Sequence, residues 1–231
     1  MHPTTIIDLT ILLDNNVKGP NNAPFIFRQV ATHGADGYSM GSLSFGSVHT
    51  GTHLDAPFHF IATGKTIEQI PLSDLIGPAL IIDLSGKKLQ PRQQISWADL
   101  SSWHAHIREG AIVLIYTGWS ERYWRTPEYY NHPYLTTDAA EGLVASGVHV
   151  LGLDMLSPDE TPVGDIGGEN GYKFHEIFLG AGGIIAENLV NLSALTQDSE
   201  ETGRGTWIVN LIPLNINGGD GSPIRAFAYR A

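Results

Sequence analysis

The strongest signal along the chain is a series of short apolar runs separated by polar, Gly- and Pro-rich connections. Residues 6–13 (Ile-Ile-Asp-Leu-Thr-Ile-Leu-Leu) read as a buried first strand. Residues 14–24 are loop by composition, either a solvated connection or a flap over a site. Tyr38 to Val48 alternates small and larger residues and predicts a strand. Ala79 to Leu84 is a short buried strand, and Ala111 to Tyr116 is an apolar run that predicts a strand covered on both faces. Between them, Ser96-Trp97-Ala98-Asp99 opens a helix with a capping-box pattern, closed by Gly110. A second helix is predicted over 136–146, ended by Gly147, then a strand over 148–154 and a short helix over 173–179. The last strands fall within 205–214 and 223–230. Strands alternating with helices across 79–154 predict an α/β fold with a partly parallel sheet, and hairpin-like connections near the end make the sheet mixed.

No internal repeat or linker interrupts this pattern, and 231 residues suit one domain, 1–231, with a substantial core. A hydrophobic fraction of 42% and a charged fraction of 16% are those of a soluble globular protein. The net charge of −11 argues against nucleic acid and anionic membrane surfaces as partners and leaves a small-molecule substrate. With no cysteine there is no disulfide, thiolate metal site or cysteine nucleophile. No basic-then-apolar leader and no apolar run near the ~20 residues of a membrane span are visible, so the expected location is cytoplasmic.

Candidate chemistry concentrates in one stretch, His49-Thr50-Gly51-Thr52-His53-Leu54-Asp55-Ala56-Pro57-Phe58-His59. Its three histidines and its aspartate all occupy odd positions, and same-parity residues of an extended chain share a face. A helix would also pair His49 with His53, but Gly51, Pro57 and the β-branched Thr50 and Thr52 oppose one. A strand running into a turn therefore aims two imidazoles and a carboxylate at one point, with a third imidazole just beyond. Neutral imidazole with carboxylate suits Zn²⁺, Mn²⁺ or Fe²⁺. The plainer reading, a polar strand with satisfied histidines, would need a dense network of buried partners.

This stretch matches HxGTHxDxPxH at every fixed position and so resembles the cyclase family of metal-dependent hydrolases, which includes bacterial kynurenine formamidases and isatin hydrolases. Looser similarity extends from the Asp8 strand to Ser222-Pro223-Ile224-Arg225. The resemblance implies a three-layer β/β/α swivelling domain with a mixed sheet, assembled as a homodimer or homotetramer. It implies Zn or Mn, one or two ions per chain, with His49, His53 and Asp55 on a first ion, and Asp55, Glu187 and His175 on a second. His175 and Glu187-Asn188-Leu189 reproduce the family's spacing, and Glu187 also interrupts an apolar run, where a buried carboxylate needs a compensating charge. The resemblance makes His59 the general base/acid beside metal-activated water, and an imidazole's ordinary pKa suits both directions of proton transfer.

The implied reaction is hydrolysis of a small non-peptide amide, cyclic amide or lactone. The alternatives are an arylformamidase acting on N-formylkynurenine and a non-catalytic metal-binding module. Loop 14–24 lacks the tryptophan that kynurenine formamidases place there, which counts against kynurenine. No G-x-S-x-G elbow supports a serine route. Phe58 and Phe60 line a pocket or belong to the core. His104 and His106 read as surface or satisfied residues, His132 as structural, Ser222 as either a turn residue or a site neighbour, and the aromatic segment 119–134 as a contact between subunits or a cover over the pocket.

Overall fold

The computed structural model describes residues 5–107, 110–163, 168, 170–196 and 207–230. In chain order the strands and helices are β1 (Ile6–Asp8), β2 (Phe25–Ala31), α1 (His33–Asp36), β3 (Met40–Phe45), β4 (His53–Asp55), β5 (Ile76–Asp83), β6 (Gln94–Ile95), α2 (Trp97–Leu100), β7 (Ile112–Tyr116) and α3 (Trp119–Tyr123). They continue with β8 (Tyr134–Leu135), α4 (Thr137–Ala145), β9 (Val150–Leu153), α5 (Lys173–Gly180), β10 (Ile184–Glu187), α6 (Ser193–Thr196), β11 (Trp207–Asn210), β12 (Gly221–Pro223) and β13 (Phe227–Arg230).

Nine strands form one mixed sheet in the order β1-β13-β11-β5-β7-β9-β10-β4-β12. The middle four are parallel, and antiparallel strands extend the sheet on both sides. This is the α/β architecture with a mixed sheet that the sequence predicts. β7 explains why its run is continuously apolar: Ile112, Leu114 and Tyr116 enter one core cluster, while Val113 and Ile115 enter the other. The second cluster holds α4 (Ala139, Ala140, Leu143) and α5 (Phe174, Phe178, Leu179) against the sheet. Burying a Leu- or Phe-sized side chain contributes about 1.5–3 kcal/mol, so these two layers carry most of the fold's cohesion.

Several boundaries differ from the sequence reading, each for a local reason. The first strand stops at Asp8, whose carboxylate accepts the Thr10 amide (3.2 Å) and turns the chain; Leu12 beyond it is exposed rather than buried. The helix begun at Ser96 has its capping box but lasts only to Leu100 and tightens into a 3-10 stretch over Ser101–His106, whose serines and histidines are weak helix formers. Its proposed close at Gly110 follows residues 108–109, which lie outside the described residues. Residues 205–206 lie outside them too. β2 is not signalled by the sequence reading at all; it pairs with β3 as a separate hairpin, with Phe27 opposite the exposed Leu43.

In the aromatic segment, Trp119 and Tyr129 are buried within their own chain, the Tyr129 hydroxyl donating to Asn188 Oδ1 at 2.7 Å, so Tyr129 is not a surface contact. His132 is buried between the Pro133 carbonyl (2.7 Å) and the Thr161 hydroxyl (2.8 Å), and His104 and His106 are exposed. Among the described residues no helix is long and apolar enough to cross a membrane.

Candidate metal centre

β4 lies between β10 and β12, antiparallel to both, and is only three residues long. Within it, His53 and Asp55 point to one face and Leu54 to the core on the other, as strand parity requires. The register sets Glu187 of β10 directly opposite His53. α5 packs over the same face and brings in His175. His53, Asp55, His175 and Glu187 are all at least 94% buried.

His49 arrives differently. Residues 48–52 form bends, not a strand, because local bonds compete with sheet pairing: Thr50 Oγ1 donates to the Ser47 carbonyl (2.7 Å) and the His49 amide to Ser47 Oγ (3.1 Å). Gly51 completes the turn at φ +72°, where a side chain would strain the backbone and press on Leu13. His59 ends a 3-10 turn over Pro57–His59 and stacks on the His49 ring, with centroids 3.9 Å apart. All five predicted ligands and His59 therefore converge, although only His53 and Asp55 do so through the predicted strand.

The bonding leaves an uncompensated arrangement. His53 Nδ1 is 2.8 Å from the Gly51 carbonyl, an acceptor, so in the neutral ring Nδ1 carries the proton and Nε2 the lone pair. That Nε2 faces Asp55 Oδ1 at 3.3 Å and Glu187 Oε2 at 3.4 Å. His175 repeats the pattern: Nδ1 is held by Asp159 Oδ2 at 2.6 Å, while Nε2 stands 3.4 Å from both Asp55 Oδ2 and Glu187 Oε1. Each carboxylate thus turns one oxygen toward His53 and the other toward His175. Glu187 Oε1 is buried with no hydrogen bond. Its 3.4 Å approach to His175 satisfies an ion-pair distance but not hydrogen-bond geometry, and the orphan status is the more informative of the two.

Electrostatics agree. Burial pushes Glu187 up, reinforced by Asp55. Burial pushes Asp55 the same way, but His53, His175 and His49 outweigh it and hold its carboxyl well below the carboxylate range. Burial pulls His53 and His175 down, yet their carboxylate neighbours win and raise both. Buried positive charge is demanded at this point, and a divalent cation meets the demand. Donors about 2.0–2.2 Å from a tetrahedral ion stand roughly 3.3–3.6 Å apart, which is the spacing of the facing imidazole and carboxylate atoms. The residues present fit a divalent ion.

His49 is less clear-cut as a ligand. Its Nδ1 is 2.6 Å from Asp55 Oδ1, a hydrogen bond rather than the separation of two donors on one ion, and its Nε2 is 3.0 Å from Asp220 Oδ2. Burial would lower it, but Asp220 and Asp55 raise it to about 10. Potential ligand atoms of His49, Asp55 and His59 nevertheless lie within 4.8 Å of one another, as do those of His53, Asp55 and Glu187. His59 is lowered to about 4, chiefly by burial, and is therefore neutral with an available lone pair.

Two carboxylates in the centre were not singled out by sequence. Asp159 orients His175 from behind and also accepts the Phe174 and His175 amides (2.8 and 3.0 Å), the outer-sphere support usual for metal-binding imidazoles. Its only sequence signal is an acidic residue in a Pro- and Gly-rich loop. Asp220 stands in the Gly-Asp-Gly-Ser-Pro turn, where a carboxylate is ordinary turn chemistry. Ser222 is occupied structurally, accepting the Leu214 amide and donating to the Pro223 carbonyl. Phe60 stacks on His175 with centroids 4.8 Å apart, and Phe58 is exposed.

Residues 7–160 match the model of the Cyclase family ("Putative cyclase"). A kynurenine formamidase of Bacillus cereus is 31% identical over 222 residues, covering 95% of each chain. The chain belongs to the Cyclase family. Solved structures of similar shape include isatin hydrolase A from Labrenzia aggregata bound to benzyl benzoate, with a TM-score of 0.82 and 27% identity over 97% of this chain and 93% of that one. A "predicted metal-dependent hydrolase" from Bacillus stearothermophilus has a TM-score of 0.70 and 26% identity, covering 97% of this chain and 98% of that one. The family-model match of this cyclase-family chain contains His49, His53, Asp55, His59 and Asp159; His175, Glu187 and Asp220 lie beyond it.

Proposed function

We propose that this cyclase-family chain is a divalent-metal-dependent hydrolase that opens the C–N acyl bond of a small non-peptide amide or cyclic amide, with lactones as a related class. The observation that carries the reading is the pair of buried imidazoles, His53 and His175, each anchored through Nδ1 and each presenting Nε2 to two carboxylate oxygens. His53, Asp55, His175 and Glu187 would hold the metal, Zn²⁺ or Mn²⁺ and one or two ions, with His49 at its margin.

A divalent ion bound there supplies Lewis acidity, making a water acidic enough to be a nucleophile near neutral pH and polarising a carbonyl. The chain's own groups do the rest. His59, neutral and partly open to solvent, takes the proton from the attacking water and returns it to the leaving nitrogen. Phe60 covers His175 and limits the access of water to the buried carboxylates.

The relatives' names support this reading, since they describe hydrolysis of a formamide and of isatin. The absence of a tryptophan from loop 14–24 supports a cyclic or other small amide over N-formylkynurenine. The test is hydrolysis of N-formylkynurenine, isatin and a small lactone panel, with Zn²⁺ or Mn²⁺ restored and again with chelator. Turnover lost on chelation and restored by metal is the expected result. A protein that binds metal tightly and turns over none of these compounds would favour a non-catalytic metal module.

A further inference from the structure

We propose that Asp220 is the positioning residue for His59: its carboxylate keeps the His59 proton on Nδ1 and leaves Nε2 as the nitrogen that accepts and returns the substrate's proton. The inference rests on the hydrolase reading for its kinetic consequence, but not for its structural content.

Asp220 Oδ2 is hydrogen-bonded to His49 Nε2 at 3.0 Å and stands at an ion-pair distance of 3.3 Å from His59 Nδ1, so one oxygen faces both imidazoles. The stacked His49 ring and the edge-on Phe60 ring (centroids 4.7 Å apart) fix the plane of His59. Stacking alone does not decide which ring nitrogen is protonated, because turning the ring over preserves the stack. A carboxylate near one nitrogen favours the proton there through its charge, since a carboxylate only accepts. The backbone is built to hold the carboxylate there. The Asp220 carbonyl accepts the Ala56 amide at 2.9 Å, and the preceding Gly219 carbonyl accepts the Ile67 amide at 2.8 Å. Gly221 must lack a side chain, because a Cβ there would lie 2.5 Å from the Leu54 carbonyl oxygen and 2.8 Å from His49 Cε1. The turn is thereby pressed against the two histidines from a distant part of the chain. A histidine oriented by a buried or half-buried carboxylate is a recurrent way to fix a general base's tautomer.

The test uses Asp220→Ala, and Asp220→Asn as the variant that keeps the side chain's size. Both should retain bound Zn²⁺ and lower kcat by about 10–100-fold, as loss of an orienting partner usually does. KM should change by less than about threefold, because substrate binding is not touched. Heteronuclear NMR of the imidazole nitrogens in Zn²⁺-loaded protein, with the His59 ring assigned by its loss in His59→Gln, should show Nδ1 protonated in the parent and a mixed tautomer in both variants. Unchanged His59 tautomer, unchanged kcat, or loss of Zn²⁺ together with turnover would each overturn the proposal, the last by assigning Asp220 to His49. If the parent protein hydrolyses no amide, the hydrolase reading fails on its own and the NMR comparison still decides Asp220.

Discussion

At the residue scale, His53 and His59 sit six positions apart and have opposite prospects. His53 is buried, with Nε2 aimed at Asp55 and Glu187; His59 is the more open ring and carries no buried carboxylate pair of its own. His53→Ala should therefore abolish metal binding and activity together. His59→Ala should keep the metal and lose about 10²–10⁴-fold in turnover, the usual contribution of a general acid/base. Metal analysis alongside kcat separates the two, and a metal-free His59→Ala or a fully active His53→Ala would contradict the roles. Asp159 acts one step back. Asp159→Asn keeps a side chain of the same size but weakens the hold on His175 Nδ1, and should reduce metal affinity by about 10–100-fold in a competition titration with a chelating dye.

At the scale of elements, the centre is a three-residue strand clasped by two others. Gly221→Ala in β12 would drive a methyl into the Leu54 carbonyl and the His49 ring, so either β12 or His49 must move. A loss of about 1–3 kcal/mol in urea unfolding is expected, as for other overpacked sites, together with reduced kcat. This is also where the reach of the sequence shows. His53 and Asp55 were legible because strand parity alone puts them on one face. His175 and Glu187 were raised by the family resemblance, with the break in the Ile-Ile-Ala run of β10 as the one physical signal at Glu187. The convergence of His49 was legible only in outcome, since the chain gets there by a Ser47/Thr50 turn and a left-handed Gly51 and not by an extended strand. Asp159 and Asp220 were not legible as site residues, because an aspartate in a glycine-rich turn looks the same whether it faces solvent or an imidazole far along the chain. β2 escaped for another reason: only its ends, Phe25 and Ala31, are buried, while Phe27 to Val30 are exposed, so no apolar face of period 2 is there to be read.

At the scale of the whole molecule, acid sensitivity should have a contribution from outside the metal centre. Burial holds His132 down to about 4, while the same ring titrates near 6.5 once exposed. As pH falls the unfolded chain takes up this proton first, so the stability present above 6.5 is lost progressively as pH drops toward 4. The full effect is about 3 kcal/mol. Urea midpoints measured for the parent and His132→Gln across this range should show the smaller pH slope in the variant; equal slopes would locate the acid sensitivity elsewhere. Asp154, buried where β9 ends and bonded to Thr117 and Trp119, is raised by burial to about 6, so the fold gains stability from it as pH falls over the same range, and only the difference between parent and His132→Gln isolates the His132 contribution.

The clasped position of β4 also has a consequence for how the protein is made. Synthesis runs from the N-terminus, so His53-Leu54-Asp55 leaves the ribosome long before either of its hydrogen-bonding neighbours, β10 and β12, exists. Until Gly221 to Pro223 have been added, one edge of this strand has no partner, and an open edge is a template for pairing with another chain. A nascent chain stalled or cleaved before that point would carry its metal-binding side chains on an unfinished sheet, so chaperones and proteases surveying this protein would be inspecting the same three residues on which its chemistry depends.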